Sequence, residues 1–335
     1  MKILLTLDYE LFLGQKTGTV ENCLIKPMSL LSETLLRYDG RFTIFVDATY
    51  LLRLKQLSSS HSQLQQDFNE IVNHLRLLKK QEHDIQLHIH PHWAYSEYHN
   101  GSWITDFSHY KLKDLDEDEA IQLTKDAKEL LDEIIDAKTT VFRAGGFSAQ
   151  PTRLLTNIFL ATGLVADSSV IPGSCYNSPQ QEYDYTSAPT QESIYRFEKD
   201  ICILSENGQF TEIPISMFKV SPLFHWGLVY NRFAKQSKHV PYGDGISVKT
   251  TTSSILSRLL WWQNCHTTID GYKINFLDKA YKKAKKDGKE AITVLGHPKL
   301  ATPFSVMKLD EFAQSVVGNR DRFITISDYF NEQDN

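Results

Sequence analysis

Continuous apolar runs alternate with helix-periodic segments through the first half of the chain. The apolar runs predict strands at residues 2–7, 42–46, 85–88, 139–142 and 164–166. Apolar residues at helical spacing predict helices at 27–36, 63–80, 116–135 and 150–162. Strands that are apolar without alternation are buried on both faces. The pattern therefore predicts an α/β fold, a parallel sheet covered by helices, with enough units for a barrel-like closure.

The stretch from about residue 169 to 262 has a different pattern. Short strand-like pieces occur at 193–197, 201–204 and 211–215, with Gly208 in a turn and many aromatic residues. We interpret this stretch as an insertion or elaborated edge within a single domain of residues 1–335. After it, the pattern predicts a helix near 275–286, a strand at 291–295, a helix near 309–317 and a strand at 323–326.

Composition narrows the function classes. Hydrophobic residues make up 41% and charged residues 23% of the chain, as is usual for globular proteins. The formal net charge of −5 argues against a nucleic-acid partner, because binding to phosphate backbones needs clustered Lys and Arg. The lysine-rich run 282–286 is interpreted as the solvated face of a helix. The four cysteines form no CxxC pair, so we expect them to be reduced and structural.

The sequence also bears on membranes and targeting. No stretch of eighteen apolar residues occurs, which predicts no transmembrane segment. The short apolar start runs into Asp8 and Glu10 without a small-residue cleavage site. We interpret it as a first buried strand rather than a signal peptide, and we predict a cytoplasmic location.

Histidines cluster directly after the third predicted strand. His88, His90 and His92 lie within five residues, and the first strand ends in Asp8 and Glu10. Neutral imidazole is the commonest metal ligand in proteins, and carboxylates join it in catalytic zinc sites. These two strand ends predict a carboxylate–histidine metal site that activates water.

Other predicted strands also end in ionisable residues. Arg143 follows one strand, Asp167 another, and His297 follows the late strand between Gly296 and Pro298. In parallel α/β folds the carboxyl ends of the strands form the functional edge. We therefore expect these side chains to contribute to one site.

Five motifs in this order resemble those of the polysaccharide deacetylase superfamily, the NodB-homology proteins of carbohydrate esterase family 4. They are Thr6-Leu7-Asp8-Tyr9-Glu10, His88-Ile89-His90-Pro91-His92, Phe142-Arg143-Ala144-Gly145-Gly146, Asp167-Ser168-Ser169 and Leu295-Gly296-His297-Pro298. The resemblance extends from residue 4 to residue 298. It implies a distorted, partly open (β/α) barrel of about seven strands, with the elaborated insertion at about 169–262.

The resemblance implies roles for the matching residues. Asp8 matches the general base that acts on metal-bound water, and Glu10 stands where the family places a metal carboxylate. His88 and His92 match the two histidine ligands. His297 resembles the histidine that protonates the leaving amine.

Further residues are assigned around this centre. Arg143 resembles the arginine that holds the base in place, and Asp167 is similar to the aspartate that partners the catalytic histidine. His90 is expected beside the metal site or facing the substrate. Trp93 is placed on the substrate side, as are Gly145 and Gly146, whose backbone N–H groups suit an oxyanion.

The donor set suits a divalent cation. One carboxylate and two imidazoles leave open coordination positions on a divalent ion. We expect Zn²⁺, with Co²⁺, Ni²⁺ or Mn²⁺ as alternatives. Such an ion lowers the pKa of bound water from about 15.7 toward ~7. An amide bond could then be hydrolysed at neutral pH with a proton donor such as His297.

The motifs also depart from the family pattern. Glu10 replaces the aspartate of many members, and the segment after Arg143 lacks the family's proline and tyrosine. Val170 lies near the position where a tryptophan is often found. These departures place the chain in a divergent branch.

Two groups of aromatic residues allow two interpretations, stacking on sugar rings or packing. The groups are Trp93, Tyr95, Trp103 and Tyr110, and Phe224, His225, Trp226 and Tyr230. Trp261 and Trp262 lie on an amphipathic run with Leu256, Leu259 and Leu260, which predicts a place in the core or in an interface.

The leading functional hypothesis is a divalent-metal-dependent hydrolase that removes an acetyl or similar N-acyl group from an amino sugar in a glycan or glycan precursor. Its partners would be a saccharide or small amide substrate. The alternatives are hydrolysis of a non-sugar C–N bond, of the cyclic imide or ureide type, and a catalytically silent saccharide- or metal-binding protein. Asp8 and His297 argue against the silent protein, because binding alone needs neither base nor acid.

Overall fold

The computed structural model describes residues 1–14, 16–234, 236–246 and 257–333. The strands are β1 (Lys2–Tyr9), β2 (Thr43–Asp47), β3 (Asp84–Ile89), β4 (Glu97–His99), β5 (Ser102–Ile104), β6 (Val141–Ala144), β7 (Ala166–Asp167), β8 (Cys175–Asn177), β9 (Glu182–Asp184), β10 (Tyr195–Phe197), β11 (Phe210–Glu212), β12 (Met217–Val220), β13 (Gln263–His266), β14 (Ala291–Val294) and β15 (Arg322–Phe323). The α-helices are α1 (Lys26–Leu36), α2 (Ala48–Leu57), α3 (Ser62–Lys80), α4 (His92–Tyr95), α5 (Glu117–Ile135), α6 (Thr152–Thr162), α7 (Pro222–Ala234), α8 (Leu277–Lys286), α9 (Pro303–Gly318) and α10 (Ile326–Gln333).

The chain divides into two compact units. Unit 1 consists of Met1–Phe42 and Ser216–Thr325, and unit 2 consists of Thr43–Ile215 and Ile326–Asn335. The elaborated stretch predicted at about 169–262 is shared between the two units, with the change at Ser216.

Unit 1 is built around β1, which pairs in parallel with β14 and β15. Ile3 lies opposite Ile292 on one side and opposite Phe323 on the other. Every residue of β1 after Lys2 is buried, as expected for a parallel strand that is covered on both faces. A separate antiparallel pair joins β12 to β13.

Unit 2 contains the strands β10, β11, β7, β6, β3 and β2 in that spatial order. All neighbours are parallel except β10 and β11. The register sets Asp47 beside His88 and His88 beside Arg143, so several strands end in polar residues at one edge. The expected fold class, an α/β fold of the distorted, partly open (β/α)-barrel type with mostly parallel strands, is confirmed.

Helix ends follow local sequence chemistry. Helix α5 begins after Asp116, whose carboxylate accepts the Glu119 N–H at 2.8 Å, and acidic residues fill its first turn. It ends at Asp136, which adopts the left-handed conformation with φ of 49°.

Two strand predictions are wrong. Residues 201–204 form a turn, because the Asp200 carboxylate accepts the Cys202 N–H at 2.9 Å and its carbonyl accepts the Ile203 N–H at 3.0 Å. The strand predicted at 323–326 ends at Phe323, and Ile326 begins α10. The Thr43 hydroxyl accepts the Ile326 N–H at 2.9 Å and so supplies an acceptor that the first helical turn requires.

Within the part of the chain that the structure describes, no helix combines the length and the apolar character needed to cross a bilayer.

Candidate active site

Unit 1 places two buried carboxylates at the end of β1. Asp8 is 3% exposed and Glu10 is 5% exposed. The Asp8 N–H donates to the Gly296 carbonyl at 2.9 Å, so the chain after β14 runs beside the chain at the end of β1. The next residue along that segment is His297.

His297 faces carboxylates with both ring nitrogens. Nδ1 lies 2.9 Å from Asp270 Oδ2, and the His297 backbone N–H donates to Asp270 Oδ1 at 2.8 Å. Nε2 lies 3.7 Å from Asp8 Oδ2 and 3.7 Å from Glu10 Oε1. The buried Asp270 carboxylate accepts a hydrogen bond from the Nδ1–H group and thereby directs Nε2 toward the predicted base.

The partner of His297 is therefore Asp270, which corrects the prediction that Asp167 takes this role. Asp270 follows the β-branched run Thr267-Thr268-Ile269, a strand-like signal that the sequence analysis missed. The Ile269 N–H donates to the Leu295 carbonyl at 3.0 Å, so this run lies alongside the end of β14 and delivers Asp270 to His297.

The electrostatics of this pair favour an imidazolium. Burial by itself would lower the pKa of His297, but the carboxylates of Asp270, Asp8 and Glu10 raise it above its ordinary value. Burial would likewise raise the pKa of Asp270, and the His297 imidazolium holds it below its usual range. A histidine that keeps its proton near neutral pH is suited to act as a general acid.

Lys299 is a site residue that sequence reasoning missed. Its buried ammonium donates to Glu10 Oε1 at 2.8 Å and to the Leu11 carbonyl at 2.7 Å. One oxygen of the Glu10 carboxylate thus takes part in an ion pair within unit 1. No feature of the sequence beyond its position two residues after His297 points to Lys299.

In unit 2, the tautomer of His88 follows from a single hydrogen bond. His88 Nδ1 lies 2.8 Å from the Arg143 carbonyl oxygen. A carbonyl only accepts, so Nδ1 carries the proton and the lone pair of the neutral ring is on Nε2. An outer hydrogen bond of this kind is typical of a metal-ligating histidine.

His90 lies between the other two histidines of its motif. Its ring centroid is 4.7 Å from that of His88 and 5.5 Å from that of His92, and ligand nitrogens of His88 and His90 lie within 4.8 Å of each other. His92 stacks on Tyr110, with ring centroids 4.8 Å apart and planes at 8°. The structure brings His90 next to His88, and the assignment of His92 as the second ligand stays a prediction.

Asp47 and Thr49 support the histidine segment from the end of β2. The Thr49 hydroxyl lies 2.6 Å from Asp47 Oδ1, and it also hydrogen-bonds the backbone N–H and carbonyl of His90 at 3.0 Å each. The Trp93 indole N–H donates to Asp47 Oδ2 at 2.7 Å, and Trp93 is fully buried. Its ring packs in unit 2 and presents no surface to a sugar. Asp47 could have been found in the sequence, because it directly follows the predicted strand 42–46.

Arg143 is fully buried and hydrogen-bonded to Ser168, which directly follows β7. Its Nε donates to the Ser168 carbonyl at 2.7 Å and its Nη2 donates to the Ser168 hydroxyl at 2.9 Å. The guanidinium carbon lies 4.0 Å from the centroid of the Phe45 ring.

Asp167 closes a turn in the same unit. It accepts the Ser169 N–H at 2.7 Å and the Ser169 hydroxyl at 2.9 Å. Burial raises the pKa of Asp167, and burial together with the nearby Asp167 raises the pKa of Glu212 well above its ordinary value. Burial and the neighbouring Asp167 therefore disfavour the ionised form of the Glu212 carboxyl. Glu212 was not among the site residues predicted from the sequence.

Gly145 allows His90 to approach the backbone. A Cβ atom on Gly145 would lie 2.5 Å from His90 Nδ1 and 2.6 Å from the Ile89 carbonyl oxygen, which real contacts do not permit. Gly146 adopts a positive φ of 59°, which favours glycine. These geometries explain both glycines without reference to substrate, and their role at an oxyanion stays a prediction.

Each unit contains side chains of the kind that bind a divalent cation. Unit 2 offers the His88 Nε2 lone pair beside His90, and unit 1 offers the buried carboxylates of Asp8 and Glu10. Imidazole and carboxylate are the donors that Zn²⁺ and similar ions use in catalytic sites.

The chain is similar to known proteins in its fold and not in its sequence. No family model and no curated protein matches the chain. A candidate polysaccharide deacetylase from Mycobacterium smegmatis is 15% identical, with a TM-score of 0.48 and coverage of 99% of this chain and 89% of that one. A family 4 acetyl xylan esterase from Clostridium thermocellum, solved with a cobalt ion, is 11% identical, with a TM-score of 0.41 and coverage of 99% and 91%.

A 4-alpha-glucanotransferase from Thermococcus litoralis is also similar. It is 11% identical, with a TM-score of 0.49, and the match covers 99% of this chain and 40% of that one.

Proposed function

We propose that this protein is a divalent-metal-dependent hydrolase that removes an acetyl or similar N-acyl group from an amino sugar in a glycan or glycan precursor. The observation that carries the proposal is the arrangement in unit 1, where His297 is fixed by Asp270 and directs Nε2 toward Asp8 and Glu10. A protein that only binds saccharide needs neither an oriented acid nor a buried base.

Each residue of this arrangement has a role in the proposal. Asp8 takes the proton of the attacking water. His297 enters as the imidazolium favoured by its carboxylate neighbours and delivers its proton to the leaving amine. Asp270 holds the His297 ring and stabilises its charge.

Glu10, His88 and His92 would hold the metal, with His90 as the alternative second imidazole. When bound, a divalent cation supplies Lewis-acid polarisation of the acyl oxygen and a water of lowered pKa. Arg143 would hold the base in place, and the N–H groups of Gly145 and Gly146 would face the oxyanion. A cytoplasmic location, as predicted, favours a soluble or lipid-linked saccharide precursor over a mature polymer.

Acetate release from N-acetylated oligosaccharides tests this proposal. We expect activity from the protein loaded with Zn²⁺ or Co²⁺, its abolition by a chelator, and its return when metal is added back. Asp8→Asn should lower kcat by at least about 100-fold, because it removes the base. The same variant should still bind one equivalent of metal, measured by calorimetry and by elemental analysis.

Asp136→Asn is the matched control, because Asp136 is exposed and asparagine tolerates its left-handed backbone conformation. It should leave both activity and metal content unchanged. Full turnover in excess chelator would refute the metal-dependent mechanism. Activity on cyclic imides or ureides but not on acetamido sugars would show that the substrate is a non-sugar C–N compound instead of an amino sugar.

A further inference from the structure

Helix α7 in unit 1 exposes one complete apolar face. Leu223 is 79% exposed, Trp226 53%, Tyr230 68% and Phe233 80%. Their spacing of three, four and three residues places all four on one side of the helix. Scattered exposed apolar residues are ordinary, but a contiguous row of this size marks an interaction surface.

The opposite face of α7 is anchored to the unit. Phe224 packs against the cluster of Val220, Phe276 and Ala280, and its ring centroid lies 5.3 Å from that of Phe276. Since packing on one side holds the helix, exposure of the other side is a property of the folded unit.

The exposed face continues onto the segment before β13. The Trp226 indole N–H donates to the Leu259 carbonyl at 3.1 Å, so the two segments lie side by side. Trp261 is 69% exposed and Trp262 58% exposed. Of the two predicted places for this pair, exposure excludes the core and leaves the interface, and Leu256 lies outside the described residues.

The charge of this region is opposite to that of the whole chain. Asp244 is the only acidic residue in the sequence 213–269, and its carboxylate accepts hydrogen bonds from Thr19 and Asn22. The basic residues in the same stretch are Lys219, Arg232, Lys235, Lys238, Lys249 and Arg258. Among them Lys219, which precedes α7, and Lys238, which follows it, are exposed, as is Arg258.

We propose that this face, defined by Leu223, Trp226, Tyr230, Phe233, Trp261 and Trp262, docks on the surface of a lipid bilayer that carries anionic headgroups. Tryptophan and tyrosine prefer the headgroup level, where an apolar ring and a polar edge are both satisfied. Flanking lysine and arginine side chains add attraction to anionic lipid. The inference rests on unit 1 alone and does not depend on the proposed hydrolase activity.

The charge pattern favours a bilayer over a second copy of the chain. A two-fold dimer would set the same surface against itself and bring like basic residues together. An anionic membrane carries the charge that is complementary to the exposed Lys219, Lys238 and Arg258.

Co-sedimentation of the full chain with vesicles tests the proposal. We expect binding to phosphatidylcholine vesicles with about 30% phosphatidylglycerol, and binding at least about tenfold weaker to phosphatidylcholine alone or in high salt. The double variant Tyr230→Glu, Phe233→Glu should lose binding to anionic vesicles by at least about tenfold, because charges on the apolar face oppose burial in the interface. Anionic vesicles should also shift the tryptophan emission of the wild-type protein to the blue.

Leu160→Glu is the matched control, since Leu160 is 61% exposed on α6 in unit 2. It should bind vesicles like the wild type, and circular dichroism should show that all variants are folded. The proposal is overturned if the wild type does not bind anionic vesicles, or if the double variant binds as well as the control. A dimer that the double variant dissociates, without vesicle binding, would identify a second copy as the occupant instead.

Discussion

At the residue scale, the hydrogen bond between Asp270 and His297 should determine how kcat depends on pH. The pKa of His297 is raised, so its protonated acid form persists to a higher pH than for an ordinary histidine. Asp270→Asn removes the charged partner, so the alkaline limb of the kcat profile should move to lower pH and kcat should fall by about 10- to 100-fold.

The pH profile of kcat, together with an NMR titration of the His297 ring, measures this effect. The control Asp287→Asn alters an exposed aspartate that directly follows α8 and pairs with Lys283, and it should leave the profile in place. An unchanged limb in Asp270→Asn would exclude His297 as the acid that titrates there.

Gly145 provides a second test at this scale. A methyl group at this position would meet His90 Nδ1 at 2.5 Å and the Ile89 carbonyl oxygen at 2.6 Å, so Gly145→Ala should displace the His90 ring and the backbone beside it. If His90 is a ligand or directly supports one, metal affinity should fall by about 10- to 100-fold while the protein remains folded. Titration calorimetry with Zn²⁺ measures the change.

The variants His90→Ala and His92→Ala separate the two candidate ligands. Only the variant that removes the true ligand should lose as much metal affinity as His88→Ala. Gly318→Ala is the control, since a Cβ there has no neighbour within 4 Å. Equal metal affinity in Gly145→Ala and Gly318→Ala would remove His90 from the site.

At the element scale, α3 carries a buried histidine on its inner face. His74 is 6% exposed, and burial lowers its pKa from 6.5 to about 4. In the unfolded chain the same ring titrates near 6.5, so the unfolded state binds a proton first as the pH falls. Stability from this group is complete above pH 6.5 and is lost between pH 6.5 and about 4, by about 3 kcal/mol in all.

Denaturant unfolding at pH 7.5 and at pH 4.5 measures this loss. His74→Leu should reduce the difference between the two free energies of unfolding, because it removes the titrating ring. His99→Leu alters an exposed histidine and should leave the difference as it is. An undiminished difference in His74→Leu would assign the acid sensitivity to other groups.

Local sequence predicts most helices and strands, because the apolar repeat that marks each of them is visible within a few residues. Helix α5 has an acidic first turn after Asp116, and β1 is mostly apolar from Ile3 to Leu7, so both were predictable. The strand prediction for 201–204 was wrong because the Asp200 side chain competes for the backbone N–H of Cys202 and turns the chain.

At the scale of the whole molecule, charge is distributed unevenly along the chain. The formal net charge is −5, yet the stretch 213–269 contains a single acidic residue. A net value therefore describes the surface poorly, and it conceals the basic, aromatic face around α7. Only the folded unit shows that the apolar residues of this face are exposed rather than packed.

By itself the sequence determined the α/β class, the approximate elements and the candidate residues at strand ends, because these depend on periodicity and on short motifs. Tertiary structure alone decided which groups meet. Asp270 and His297 are 27 residues apart, and His88 and the Arg143 carbonyl are 55 apart. Such pairings are set by strand register and by burial, and no local pattern encodes them. For the same reason, the fold decided that Lys299 pairs with Glu10 and that the aromatic face of α7 is open to solvent.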